Sequence, residues 1–258
     1  MKDCLSILGK KMLDGLHYTG ELFLLGIRAL HGIFTSRLKR RQVIAQMSKI
    51  GTDSLFIVSL CSLFVGIVLV FQSAYQMQKL GAEKFIAHLV ALSMCRELGP
   101  VFTALIIAGR AGASISAELG TMKVTEQIDA LETMAANPIK YLISPRFLAL
   151  ATMLPLLTIY ANFIGIVGGY MVAVWKLGLT SAMYINSTFD ALVLKDIFSG
   201  LFKSVVFAMI ICIVSCYQGL RTEGGAEGVG KATTLAVVVS FVLIIAADCL
   251  FTAFFYFI

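Results

Sequence analysis

Five stretches of the chain are apolar over a length that crosses a bilayer, about 20 helical residues. Ser54 to Gln78 and Phe147 to Trp175 contain no charged residue at all. Phe85 to Gly109 is interrupted by Arg96 and Glu97, Ile197 to Leu220 by Lys203, and Ala232 to Ile258 by Asp248. Each of these is otherwise apolar over a full bilayer thickness, so residues 51–258 are predicted to form one five-span unit. Ahead of it, Leu13, Leu16, Leu22, Leu25, Leu30 and Ile33 alternate with His17, Glu21, Arg28 and His31, and the basic run Arg37 to Arg41 follows. That pattern predicts a helix lying in the membrane interface, so residues 1–50 form an N-terminal amphipathic and basic region. The fold class is therefore an all-α integral membrane protein.

Composition narrows the function classes. The chain is 59% hydrophobic and 14% charged, which excludes an ordinary soluble domain. A net charge of +6 would suggest nucleic acid in a soluble protein, but here the charges follow the membrane and no nucleic-acid partner is expected. Lys2, Lys10, Lys11, Arg28, Arg37, Lys39, Arg40, Arg41 and Lys49 precede the first span, and Lys123, Lys140, Arg146, Arg221 and Lys231 fall in connections on the same side. The other side carries Lys79, Lys84, Lys176 and Lys195. Basic residues collect on the cytoplasmic side, which places the N-terminus in the cytoplasm and, after five spans, the C-terminus outside. The N-terminal fifty residues lack the compact apolar core and cleavage site of a signal peptide. Cys4, Cys61, Cys95, Cys212, Cys216 and Cys249 fall mostly in apolar runs and read as small hydrophobes. Cys212 and Cys216 stand one turn apart, but no His or second Cys pair accompanies them, so no metal site is expected.

Arg96, Glu97, Lys203 and Asp248 are the four ionisable groups inside predicted spans. Each costs about 2.5–3.5 kcal/mol on insertion scales, so such groups pair with one another or face a wet cavity. Two are positive and two negative, and at 1.5 Å per residue all lie roughly 10–17 Å from the outer surface. They are predicted to meet. Two readings stay open: an ion-pair cluster that only holds helices together, and a polar site within a cavity. Pro100 removes the hydrogen bond to the carbonyl of Arg96, and Gly99 eases a bend there. A kink at a charged pair is tolerated where freed backbone lines a cavity.

On the cytoplasmic side, Arg110 to Gly120 is rich in Gly, Ala and Ser and reads as a helix-packing seam. Glu118 to Ala136 reads as a short amphipathic helix, with Val124, Ile128, Leu131 and Ala135 on one stripe and Glu126, Asp129 and Glu132 offset from it. Asn137-Pro138 ends it, and Ser144-Pro145 supplies an N-cap and first-turn proline for the third span. An acidic helix binds headgroups poorly, so a docking surface for another protein is the preferred reading.

Catalytic motifs fail on inspection. Gly225-Ala-Glu-Gly-Val-Gly-Lys-Ala232 approaches a phosphate-binding loop, but Ala232 stands where a magnesium ligand belongs and no strand precedes it, so a flexible turn is expected. Gly112-Ala-Ser114 resembles a serine-protease elbow, but its candidate base, His88, lies roughly 39 Å away along the helix.

Arg96-Glu-Leu-Gly-Pro100, Ala108-Gly-Arg-Ala-Gly112, Ala117-Glu-Leu-Gly120, Thr125-Glu-Gln127, Asp129-Ala-Leu-Glu132, Asn137-Pro138, Ser144-Pro-Arg146, Gly224 to Gly230 and Ala232-Thr-Thr234 closely resemble the MlaE family of ABC-transporter permeases. The motifs are collinear and span nearly the whole chain. The resemblance implies a homodimer in the bacterial inner membrane, partnered by a cytoplasmic ABC ATPase and a periplasmic MCE-domain protein, moving phospholipid between inner and outer membranes. It implies no enzyme activity or cofactor in this chain, ATP and Mg being bound by the ATPase. It further implies lipid at the dimer interface near Arg96, Glu97, Lys203 and Asp248, with Leu69, Gln72, Met77 and Leu98 lining an outward opening. The helix around 118–136 looks like the family's coupling helix, with Glu118, Glu126, Asp129, Leu131 and Met134 as its ATPase contacts. A rival reading is a gradient-driven secondary transporter or channel relaying ions through the charged cluster. That reading calls for inverted repeats, of which the sequence gives no sign.

Overall fold

The computed structural model describes residues 2–35 and 39–257, with side chains for 13, 15–33 and 39–255. Arg37, part of the predicted basic run, lies outside the described residues. Among those described, five helices are long and apolar enough to cross a membrane. With no water in the bilayer core, a spanning backbone must satisfy its own polar groups, which these runs do as helices.

Helix α1 (Lys2–Thr35) precedes the first span, α2 (Arg40–Lys79). The second span, Glu83–Val124, is built from α3 (Ile86–Ser93), a π-helical turn (Met94–Leu98), α4 (Gly99–Ile107), a second π turn (Ala108–Gly112) and α5 (Ala113–Val124). A short helix α6 (Gln127–Thr133) follows, then a π turn (Ile139–Ile143) leading into the third span, α7 (Ser144–Trp175). Helix α8 (Ser181–Ala191) joins it to the fourth and fifth spans, α9 (Leu194–Leu220) and α10 (Gly225–Phe257).

The most extensive seam runs between α2 and α7. On α2 the buried residues Ile50, Ser54, Val58, Ser62, Gly66, Val70 and Ala74 recur every four positions, one stripe of mostly small side chains. Helices without a hydrophobic drive toward each other associate through such close contact. Gly66 lies against the carbonyl of Gly165, where no side chain fits between the backbones. The larger core cluster joins α7 and α9, with Leu150, Leu154, Phe207 and Ile211 at its centre. A second cluster, including Val70, Ile86, Val90, Met94 and Tyr184, sits beneath α8.

Three local expectations change. The reading of one helix over 118–136 is overturned: α5 runs to Val124, and Glu126 at φ 58° breaks the chain before α6. Pro145 stands in the first turn of α7 as expected, but the helical winding already begins in the π turn at Ile139, so the capping oxygen belongs to Asn137, whose Oδ1 accepts from the amides of Ile139 and Lys140 at 3.0 and 3.4 Å. Ser144 instead donates from Oγ to the Ala29 carbonyl, 3.2 Å away on α1. Gly225 to Ala232 forms the first turns of α10; only Gly224 and Gly225, at φ 84° and 70°, make the turn.

Helix α1 packs on the spans. Leu22, Leu25 and Ala29 are buried against the spans, while Leu13, Leu16, Phe23, Ile27 and Leu30 remain exposed. Tyr18 accepts from Gln218 Nε2 at 2.7 Å, and Glu21 accepts from the Tyr217 hydroxyl and from Arg221, fastening α1 to the end of α9.

Candidate functional site

Pro100 stands in the first turn of α4, immediately after the π turn of Met94–Leu98. The missing proline amide falls where the helix is already wound wide, with Gly99 N–H reaching back to the Met94 carbonyl. Gly99 packs against the side chain of Asn162, and Gly200 of α9 against the Cys95 carbonyl. These glycine contacts bring the π turn, α7 and α9 close enough for short polar bridges.

Three of the four predicted charges meet there. Lys203 Nζ donates to Glu97 Oε2 at 2.6 Å, Asp248 Oδ1 at 2.9 Å and Thr252 Oγ1 at 2.8 Å. All three ammonium donors are thereby engaged, and Lys203 is 1% exposed. Thr252 Oγ1 in turn lies 3.2 Å from both oxygens of Glu97. The second, fourth and fifth spans are thus tied at one point.

Arg96 does not join this cluster. Consecutive residues of a helical turn point in different directions, so while Glu97 faces Lys203, Arg96 reaches Asp196 in the first turn of α9, with Nε–Oδ1 at 3.4 Å. Asp196 and Thr252 were not among the residues picked out in the sequence. Asp196 falls just before the apolar run of the fourth span, and a threonine in an apolar run carries no charge signal.

Arg96, Glu97, Lys203 and Thr252 nevertheless share a pocket of about 310 Å³, completed by Leu92, Ser93, Ser199 and Phe255. A guanidinium and a carboxylate thus stand beside apolar side chains, chemistry suited to an amphiphile with a polar head. The four residues expected near an outward opening of a dimer are not among the lining of this pocket. Leu69, Met77 and Leu98 pack on the cluster beneath α8, and Gln72 is exposed on α2.

At the other end of the spans, the residues expected on a coupling surface separate. Glu118 is bound within the fold, accepting from Arg146 Nη2 at 3.1 Å and Lys49 Nζ at 3.3 Å. Arg146 is 4% exposed and also donates to the Leu142 carbonyl. Glu126 marks the break before α6 and is exposed. Asp129 holds Lys123 at 2.8 Å, Leu131 packs toward the core, and Met134 is 78% exposed. Among the described residues, no group of three metal-binding side chains is found.

Residues 43–254 match the family model described as permease MlaE. The chain belongs to the MlaE permease family. It is 44% identical to a probable ABC transporter permease protein of Rickettsia typhi, over 96% of this chain and 95% of that one. It is 38% identical to the intermembrane phospholipid transport system permease protein MlaE of Haemophilus influenzae, over 96% of each. It is also 39% identical to the chloroplastic protein trigalactosyldiacylglycerol 1 of Arabidopsis thaliana, over 87% of this chain and 64% of that one. The MlaE permease match covers nearly all of the five spans and every residue lining the Lys203 pocket except Phe255.

Proposed function

We propose that this chain is the permease subunit of an ABC transporter that moves phospholipid between the inner and outer membranes of a bacterium. The observation that carries this is the pocket at Lys203, where charged and apolar side chains meet within the spans. A phosphate-bearing head suits Arg96, and acyl chains suit Leu92 and Phe255. Likeness to a permease named for intermembrane phospholipid transport supports the same cargo.

Two copies of the chain are proposed to enclose the lipid, as the family resemblance implies. A separate cytoplasmic ATPase binds ATP and Mg and engages α6, and an MCE-domain protein docks on the periplasmic side. The N-terminus is cytoplasmic and the C-terminus periplasmic, following the distribution of Lys and Arg.

The test is reconstitution of the chain, with its co-purifying partners, into proteoliposomes holding fluorescent phospholipid. The proposal expects lipid movement that needs ATP and stops when the ATPase subunit is omitted. Movement driven by an ion gradient with no ATPase present would instead favour the secondary-transporter reading.

A further inference from the structure

At the opposite end of α9 from Lys203, side chains of α1 and α9 enclose a groove of about 550 Å³. Lys203 and Arg221 are separated by roughly 27 Å of helix, so this groove and the Lys203 pocket belong to opposite faces of the membrane unit. Leu24, Leu25 and Leu220 supply apolar lining, Arg28 and Arg221 supply positive charge, and the Glu21 carboxylate, engaged by Tyr217 and Arg221, stands beside them with His17. Arg221 contacts Glu21 through Nη2 alone, and a guanidinium carries five N–H donors, so donors remain for a second acceptor. Arg28 has no ion-pair partner among the described residues, and it also borders an adjoining groove where Lys123 and Glu132 stand.

The same helix carries Phe23, Ile27 and Leu30 exposed at three- and four-residue spacing. A stripe of this kind seats a helix at the level of lipid headgroups. The two arginines therefore stand where phosphate diesters are concentrated, next to an apolar wall that a free phosphate would leave uncovered. We propose that the groove between α1 and α9 binds an anionic phospholipid, with its phosphate diester at Arg28 and Arg221 and an acyl chain along Leu24, Leu25 and Leu220. A zwitterionic lipid offers the same phosphate but brings its own ammonium, so it competes poorly. The inference does not rest on what the chain transports.

The experiment uses the full chain with its co-purifying partners in nanodiscs doped with photoactivatable phosphatidylglycerol or phosphatidylcholine, the labelled sites being mapped by peptide mass spectrometry. Phosphatidylglycerol is expected to label residues 17–28 or 217–221. That labelling should fall about five-fold in Arg28→Gln, the factor one basic residue contributes at an anionic surface. Arg28→Lys should retain most of it, and labelling near Leu92 and Phe255 should not change. Equal labelling by phosphatidylcholine, or no loss in Arg28→Gln, overturns the proposal. Displacement of the label by millimolar inorganic phosphate would assign the arginines to a soluble anion and overturn it as well.

Discussion

Lys203 and Glu97 meet at 2.6 Å across 106 residues of sequence, yet their burial is opposite: the lysine side chain is 2% exposed and the glutamate side chain 36%. The pair is therefore asymmetric toward mutation. Lys203→Met removes the buried charge and leaves the carboxylates of Glu97 and Asp248, whose side chains are 36% and 22% exposed. Glu97→Gln combined with Asp248→Asn leaves the ammonium buried with only neutral partners. An uncompensated buried charge costs about 3–5 kcal/mol. The double variant should thus melt well below Lys203→Met when both are followed in detergent by thermal unfolding. Equal melting points would mean that Lys203 is solvated in a way its burial does not reveal.

The approach of Gly66 to the Gly165 backbone sets a second expectation. An added methyl at Gly66 forces α2 away from α7, and overpacking of this kind costs about 1–3 kcal/mol. Gly168, whose added methyl would stand 2.6 Å from the Leu63 carbonyl, should behave alike. Gly15 on α1 has open space around it and lies within a helix, so Gly15→Ala should be neutral or gain up to about 1 kcal/mol. Thermal unfolding of the three alanine variants checks the order.

The docking of α1 should weaken in acid. The hydrogen bond from Tyr217, with Arg221 and His17 beside it, holds the Glu21 carboxyl below its ordinary value of 4.5. A lowered carboxylate contributes to docking fully above the ordinary value, and that contribution is lost as pH falls through the lowered one. In a His17→Gln background, which removes the neighbouring imidazole on α1, protection of the residue 18–30 amides against hydrogen exchange, corrected for the intrinsic pH dependence of exchange, should fall on acidification. Glu21→Gln should exchange faster at neutral pH and show less change with acid. Parallel pH profiles for the two would show that α1 is held by Leu22, Leu25 and Ala29 alone.

The spans were legible because charge-free apolar runs leave a chain few alternatives in lipid, and the meeting of Glu97, Lys203 and Asp248 followed from their cost there. The side-chain partners were harder to read. Depth and charge balance place Arg96 with Glu97, but they do not encode side-chain direction, and the two residues turn to different neighbours, Asp196 and Lys203. The break at Glu126 and the reversal at Ala135 use left-handed backbone at non-glycine residues, so no glycine marks them. Helix α8, anchored by Ser187 to the Lys84 carbonyl at 3.0 Å, lies in a mixed polar and apolar stretch too short to register as a span. The fastening of α1 to α9 joins residues about 200 positions apart, a separation that local periodicity does not encode.

Glu118 is bound within the fold and Met134 is exposed, although the sequence presents the two in one helix. Glu118 supplies the carboxylate that neutralises buried Arg146, so Glu118→Gln should lower the melting temperature of the isolated chain. Met134 follows α6 directly and is 78% exposed, so Met134→Asp should leave that melting temperature unchanged. If α6 seats in the ATPase, the aspartate places a charge into an apolar contact, and co-purification of the ATPase should drop about ten-fold or more. Pull-down through a tag on this chain, paired with thermal unfolding of each variant, reads the two effects separately. Retention of the ATPase by Met134→Asp, together with its loss in Glu118→Gln, would move the docking surface from the end of α6 to the ends of the spans themselves.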